Sequence, residues 1–171
     1  MILCGCNGTK EIGSSKSLEY TRIPENIIVA QIGGAPIDAA FKTDLSAILS
    51  KCGTNLQFPT VVTKDSVKTS QADALLSIKE IGRTTATELR GGVPTGNSYP
   101  SKIRYEFALT DVASGKIVWK AQDDFGLWSP DALGINKAIH DNPANDWAAT
   151  VAAQMQKDGL LAACDLKKAS A

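Results

Sequence analysis

Residues 103–121 read IRYEFALTDVASGKIVWKA, and the alternation in this stretch decides the fold class. Ile103, Tyr105, Phe107 and Leu109 alternate with Arg104, Glu106 and Thr110, the period of a strand with one buried face. Residues 111–116, with Asp, Ser and Gly, supply a turn, and Ile117, Trp119 and Ala121 resume the alternation. An antiparallel hairpin follows, its aromatics turned inward. Exposed aromatics on a sheet can stack nucleic-acid bases. Here the alternation assigns them to the core, and a formal net charge of zero gives no basic footprint for a nucleic-acid partner.

Upstream, Ile27, Ile28, Val29 and Ile32 form a nearly continuous apolar run closed by Gly33 and Gly34, as in a buried central strand. Ile37, Phe41, Leu45, Ile48, Leu49 and Cys52 then recur at helical spacing. Pro36 and Asp38 suit the first turn of that helix and Gly53 its end. Residues 56–62 read as a second strand, with Pro59 at an edge or bulge. A right-handed crossover makes these two strands parallel. Residues 63–71 suit a short helix or loop, 72–90 carry β character, and 90–102 read as a Gly/Pro/Ser loop. Residues 122–142 read as irregular, with a helical turn around 131–139. A second helix is expected from an Asn145 cap, with Trp147, Val151 and Met155 on one stripe, Ala148 and Ala152 beside it, and Gly159 at its end.

These elements predict an α+β domain: one mixed, largely antiparallel sheet of about five strands with two main helices on one face. A chain of 171 residues supports one such domain, assigned to residues 26–171. Residues 1–25 are polar and small after Met1-Ile2-Leu3. They read as the remnant of a signal followed, at residues 7–25, by a flexible tether with a coil reach of about 20–25 Å.

The chemistry-bearing residues are sparse. Cys4 and Cys6 lack the spacing and second pair of a zinc site. His140 and Asp141, with Asp123 and Asp124, fall short of a ligand pattern and read as solvated loop charge. No catalytic residue, metal or cofactor is assigned. Cys52 and Cys164 each follow the end of a firm helix. With the helices side by side, an oxidising compartment permits a disulfide; two buried thiols are the alternative. Tyr99, Phe125 and Trp128 lie in segments long for connections, and are candidate contacts for a protein partner. For Phe125 and Trp128 the favoured alternative is that they fold back to cover one end of the core.

The 105–121 stretch, with ADALLSIKEIG (residues 72–82) and the helix end QMQKDGLL (154–161), resembles a pattern of small bacterial envelope lipoproteins. Among these are the curli-secretion type and lipoprotein activators of penicillin-binding proteins. As a whole the chain most resembles uncharacterised envelope lipoproteins of Burkholderia-type bacteria, over roughly residues 26–162. Leu3-Cys4-Gly5-Cys6 resembles a lipobox, which makes Cys6 the lipidated residue and places Cys4 on the segment removed on attachment. Cys4 departs from the Ala or Ser commoner there, and the basic and apolar regions of a signal are expected upstream, with Met1 an internal methionine. The resemblance implies a non-enzymatic, lipid-anchored protein of the periplasm or outer membrane. It would bind an envelope protein partner or assist assembly, and act as an antigen. The rival expectation is a small soluble cytoplasmic enzyme or ligand-binding protein beginning at Met1, with reduced cysteines and a concave polar pocket.

Overall fold

The computed structural model describes residues 13–33, 39–126, 128–130, 136–138 and 143–166. Its elements are β1 (Gly13–Lys16), β2 (Asn26–Ile32), α1 (Ala39–Lys51), β3 (Asn55–Gln57), α2 (Lys64–Thr69), β4 (Ala74–Arg90), β5 (Val93–Asp111), β6 (Ile117–Gly126), β7 (Trp128–Pro130), β8 (Asn136–Ala138) and α3 (Pro143–Lys157). Among the described residues the main sheet has six strands in the order β1-β6-β5-β4-β2-β3, and β7 and β8 form a separate two-stranded ribbon. The class is α+β with one mixed sheet, but wider than the expected five or so strands. β2 pairs parallel with β3 and β4, and the other pairings of the main sheet are antiparallel.

The buried face alternates as the sequence requires except at the start of β6, where a register shift between β5 and β6 leaves Ile117 exposed and buries Val118 instead. Ile27 and Val29 of β2, Leu76 and Ile78 of β4, Tyr105, Phe107 and Leu109 of β5, and Trp119 and Ala121 of β6 join one core. Helix α1 contributes Phe41, Leu45, Ile48 and Leu49, and α3 contributes Trp147, Ala148, Val151, Ala152 and Met155. The Trp147 ring lies 4.0 Å from Phe41, 4.7 Å from Tyr105 and 5.7 Å from Phe107, so both helices share one sheet face and lock together there. Ile28, with the opposite pleat direction, is also buried. Since β3 and β4 flank β2 on opposite sides, the right-handed crossover rule puts α2 on that second face. Thr63 caps α2 through a reciprocal pair of hydrogen bonds with Ser66.

Both long helices end alike. Thr54 N–H donates to the Leu49 carbonyl and Gly53 N–H to Ser50; Leu160 N–H donates to Met155 and Gly159 N–H to Gln156. Gly53 (φ 79°) and Gly159 (φ 68°) occupy the left-handed position that this ending demands.

Several expectations are corrected. Residues 90–102 are not a loop: β4 and β5 run through them as one long hairpin, closing at Gly91 and Gly92 with Arg90 opposite Val93. Residues 122–126 continue β6, and 136–138 form β8 rather than a helical turn. Residues 13–25 are not free coil. β1 pairs with β6 from Gly13 opposite Gln122 to Lys16 opposite Trp119, and Tyr20 enters the core. Helix α3 begins at Pro143, which suits a first helical position, so Asn145 lies inside it rather than capping it.

Candidate functional site

Two polar clusters and one covalent link tie residues 14–26 and 154–164 to the rest of the domain. At the base of the sheet, Asp73 accepts from the backbone N–H of Glu25 (3.0 Å) and Asn26 (2.9 Å). Asp111 accepts from Ser114 N–H at 2.8 Å and from its hydroxyl at 2.6 Å, closing the β5–β6 turn. Arg22 bridges both carboxylates, at 3.4 Å to Asp111 and 3.8 Å to Asp73. The Ser114 hydroxyl, foremost, and then its N–H and Arg22 hold the Asp111 carboxyl below its ordinary value, against the opposing effect of burial. Burial, reinforced by Asp111, pushes the Tyr20 phenol up.

The second cluster docks β1. Buried Gln154 donates to the Ser14 hydroxyl at 2.8 Å and to Asp158, while Trp119 Nε1 donates to Asp158 at 2.7 Å. Lys16 Nζ donates to the Gly159 carbonyl at 3.3 Å. Burial alone would raise the Asp158 carboxyl; the bonds from Trp119, Ser14 and Gln154 outweigh it and leave it lowered.

Cys52 caps α1, and Cys164 lies five residues beyond Gly159. They are joined by a disulfide with Cα atoms 5.1 Å apart and a separation of 112 residues in sequence. Gln156 Nε2 donates to the carbonyls of Ala162 and Cys164, both at 3.1 Å, holding residues 162–164 against α3.

The other residues that the sequence singled out scatter. Tyr99 lies on β5 opposite Ala86, Phe125 on β6 opposite Ile103, and Trp128 on β7 opposite Ala138, so all three sit on strands rather than loops. Cys4, Cys6, His140 and Asp141 lie outside the described residues. Asp123 is buried on β6. Asp124 takes Arg104 at 2.6 Å and also pairs with Lys102, and these two cations hold its carboxyl far below the usual range. Among the described residues no three His, Cys, Asp or Glu side chains gather as a metal site. An open groove of about 190 Å³ is lined by Ser17, Glu19, Tyr20, Ser114, Lys116, Ile117 and Val118.

Sequence reasoning missed both polar clusters. The Asp111–Ser114 spacing, an acid three residues before a hydroxyl in a turn, was the available signal for one. Nothing in GSSK marks the Ser14–Gln154 bond, which spans 140 residues.

The lowered carboxyls give a pH prediction. A carboxyl held below its unfolded value near 3.9 contributes stability that is present above that pH. The contribution is lost as pH falls through the folded value. The thermal midpoint should therefore fall steeply below about pH 4. Asp111→Asn should make that fall shallower in circular-dichroism melts across the acid range; an unchanged slope removes Asp111 from the account.

No protein-family model and no curated protein sequence matches the chain. Solved structures do. The PelC dodecamer from Paraburkholderia phytofirmans aligns over 89% of this chain and 97% of its own, at 16% identity and a TM-score of 0.53. Lipoprotein GNA1162 from Neisseria meningitidis aligns over 78% and 99%, at 14% identity and a TM-score of 0.45. The chain is thus similar in fold to the PelC subunit along nearly the whole length of both.

Proposed function

We propose that this protein is a non-enzymatic, lipid-anchored component of the cell envelope, held in the membrane through Cys6, that binds or scaffolds an envelope protein. The observation that carries the reading is the Cys52–Cys164 disulfide, since such links persist in oxidising compartments and are rare in the cytosol. It sets this reading above a cytoplasmic enzyme with reduced thiols. The Leu3-Cys4-Gly5-Cys6 stretch supplies the attachment chemistry, a thiol that can take a lipid. The fold shared with a dodecamer-forming subunit supports assembly, rather than turnover of a small molecule, as the task.

The test is acyl analysis of the protein taken from its own envelope. An acyl group on Cys6 and loss of membrane fractionation in Cys6→Ser are the expected outcomes. Wild-type protein in the soluble fraction with four free thiols overturns the reading. Crosslinking in the intact envelope, followed by mass spectrometry, then identifies the partner.

A further inference from the structure

We infer that the β1–β6 edge of the sheet is the surface that lies against the lipid bilayer, which rests on the anchor at Cys6. Gly13, the first residue of β1, is seven positions beyond Cys6. Fully extended, that segment reaches about 25 Å, and as a coil about 15 Å. β1 is an outer strand, and β3 bounds the opposite edge. Five strand spacings of about 4.8 Å separate them, so the far edge lies about 24 Å beyond the near one.

The long hairpin excludes an upright pose with its tip toward the membrane. Gly13 is level with Gln122, and Gln122 with Glu106. From Glu106 to Val93 at the tip, β5 runs on for about 40 Å, farther than the tether reaches. In that pose the tip would have to enter the bilayer. Its sequence, with Arg83 and Arg90 in β4, is not the apolar-alternating sequence of a strand that faces lipid.

The near edge has the composition that a bilayer surface selects. Leu18, soon after β1, is 99% exposed, and Ile117 at the start of β6 is 53% exposed. Their neighbours in sequence are joined by the bond from Ser17 N–H to the Val118 carbonyl, 2.9 Å. Lys116 and Lys120 are exposed on the same edge, with Lys16 on β1 and Glu19 as the acidic neighbour. Exposed aliphatic side chains beside lysines suit the headgroup layer of an anionic leaflet. Laid edge-on, the strands run along the membrane, and the hairpin extends sideways over it.

The experiment uses the full, acylated chain in vesicles of phosphatidylethanolamine and phosphatidylglycerol carrying a headgroup energy acceptor. A bioorthogonal fluorophore is placed at position 120 on β6 or at position 55 on β3. The expected result is strong transfer at 120 and weak transfer at 55, a separation of roughly 20 Å measured from the bilayer. Leu18→Asn combined with Lys120→Gln, in protein labelled at position 116, should reduce the transfer there. Leu18 is too exposed for its replacement to unfold the domain. A long Gly/Ser spacer after Asn7 should lower transfer at 120 further. Equal transfer at 120 and 55, or stronger transfer at 55, with Cys6 acylated, overturns the orientation and leaves the anchor standing. Asn55 lies at the base of the sheet, level with Asn26, so a base-down pose is caught by the same comparison. A chain carrying no acyl group at Cys6 overturns the anchor reading, and the orientation with it.

Discussion

Replacing Cys52 and Cys164 together by serine should lower the unfolding free energy by about 4–5 kcal/mol, the chain-entropy value for a closed loop of this length. For a domain of this size that corresponds to a drop of roughly 10–20 °C in the thermal midpoint. The link joins the end of α1 to the segment after α3, so opening it frees most of the folded chain in the denatured ensemble. The native elements survive the change, because each helix keeps its own glycine-based ending at Gly53 or Gly159. Calorimetry of the double variant beside wild type treated with reductant should give matching losses. A shift under about 3 °C in both would mean that α1 and α3 hold this end of the molecule without the link.

Trp147→Ala should cost about 3–5 kcal/mol. Trp147 is buried where α3 meets α1 and β5, with three aromatic neighbours within 5.7 Å. Truncation removes the largest side chain at that junction and leaves a cavity that Phe41, Tyr105 and Phe107 can only partly close. Trp147→Phe should recover most of the loss by keeping a ring there. Urea unfolding followed by far-ultraviolet circular dichroism checks both variants. An alanine variant within about 1 kcal/mol of wild type would show that the two helices are not coupled through this residue.

How far the sequence could be read differs from element to element. The core faces of β5, and of β6 from Trp119 onward, were legible because period-two alternation is recorded in neighbouring residues; the shift that turns Ile117 out and Val118 in was not. Ile103 and Phe107 differ visibly from Arg104 and Glu106 without any knowledge of the partner strand. Helix α1 was legible for the same kind of reason, with its apolar stripe ending at a glycine. The distal hairpin was not. Gly, Pro and Ser between 90 and 101 read as loop, yet β4 and β5 pair across that stretch, with shifts of register at Thr84/Thr85 and Thr87/Leu89 that accommodate them. β1 was hidden for the opposite reason: GSSK is an exposed edge strand with no apolar side to betray it. Its position is fixed by hydrogen bonds to β6 and by the contact between Ser14 and Gln154.

The candidate site divides in the same way. Cys52 and Cys164 were singled out by their places after two helices, while whether the two sulfurs meet depends on how those helices pack over the sheet. Tyr99, Phe125 and Trp128 were chosen for lying in long connections, and the pairing of β5, β6 and β7 turned those connections into strands.

By itself, the sequence determined the α+β class, most of the buried face and the two helix endings. These depend on side-chain periodicity and on residues within a turn of one another. Only the tertiary structure decided the sheet order, the length of the hairpin, the docking of residues 13–25 and the meeting of Cys52 with Cys164. Each of those is a pairing between groups far apart in the chain, and its free energy is gained only once both partners are held in place.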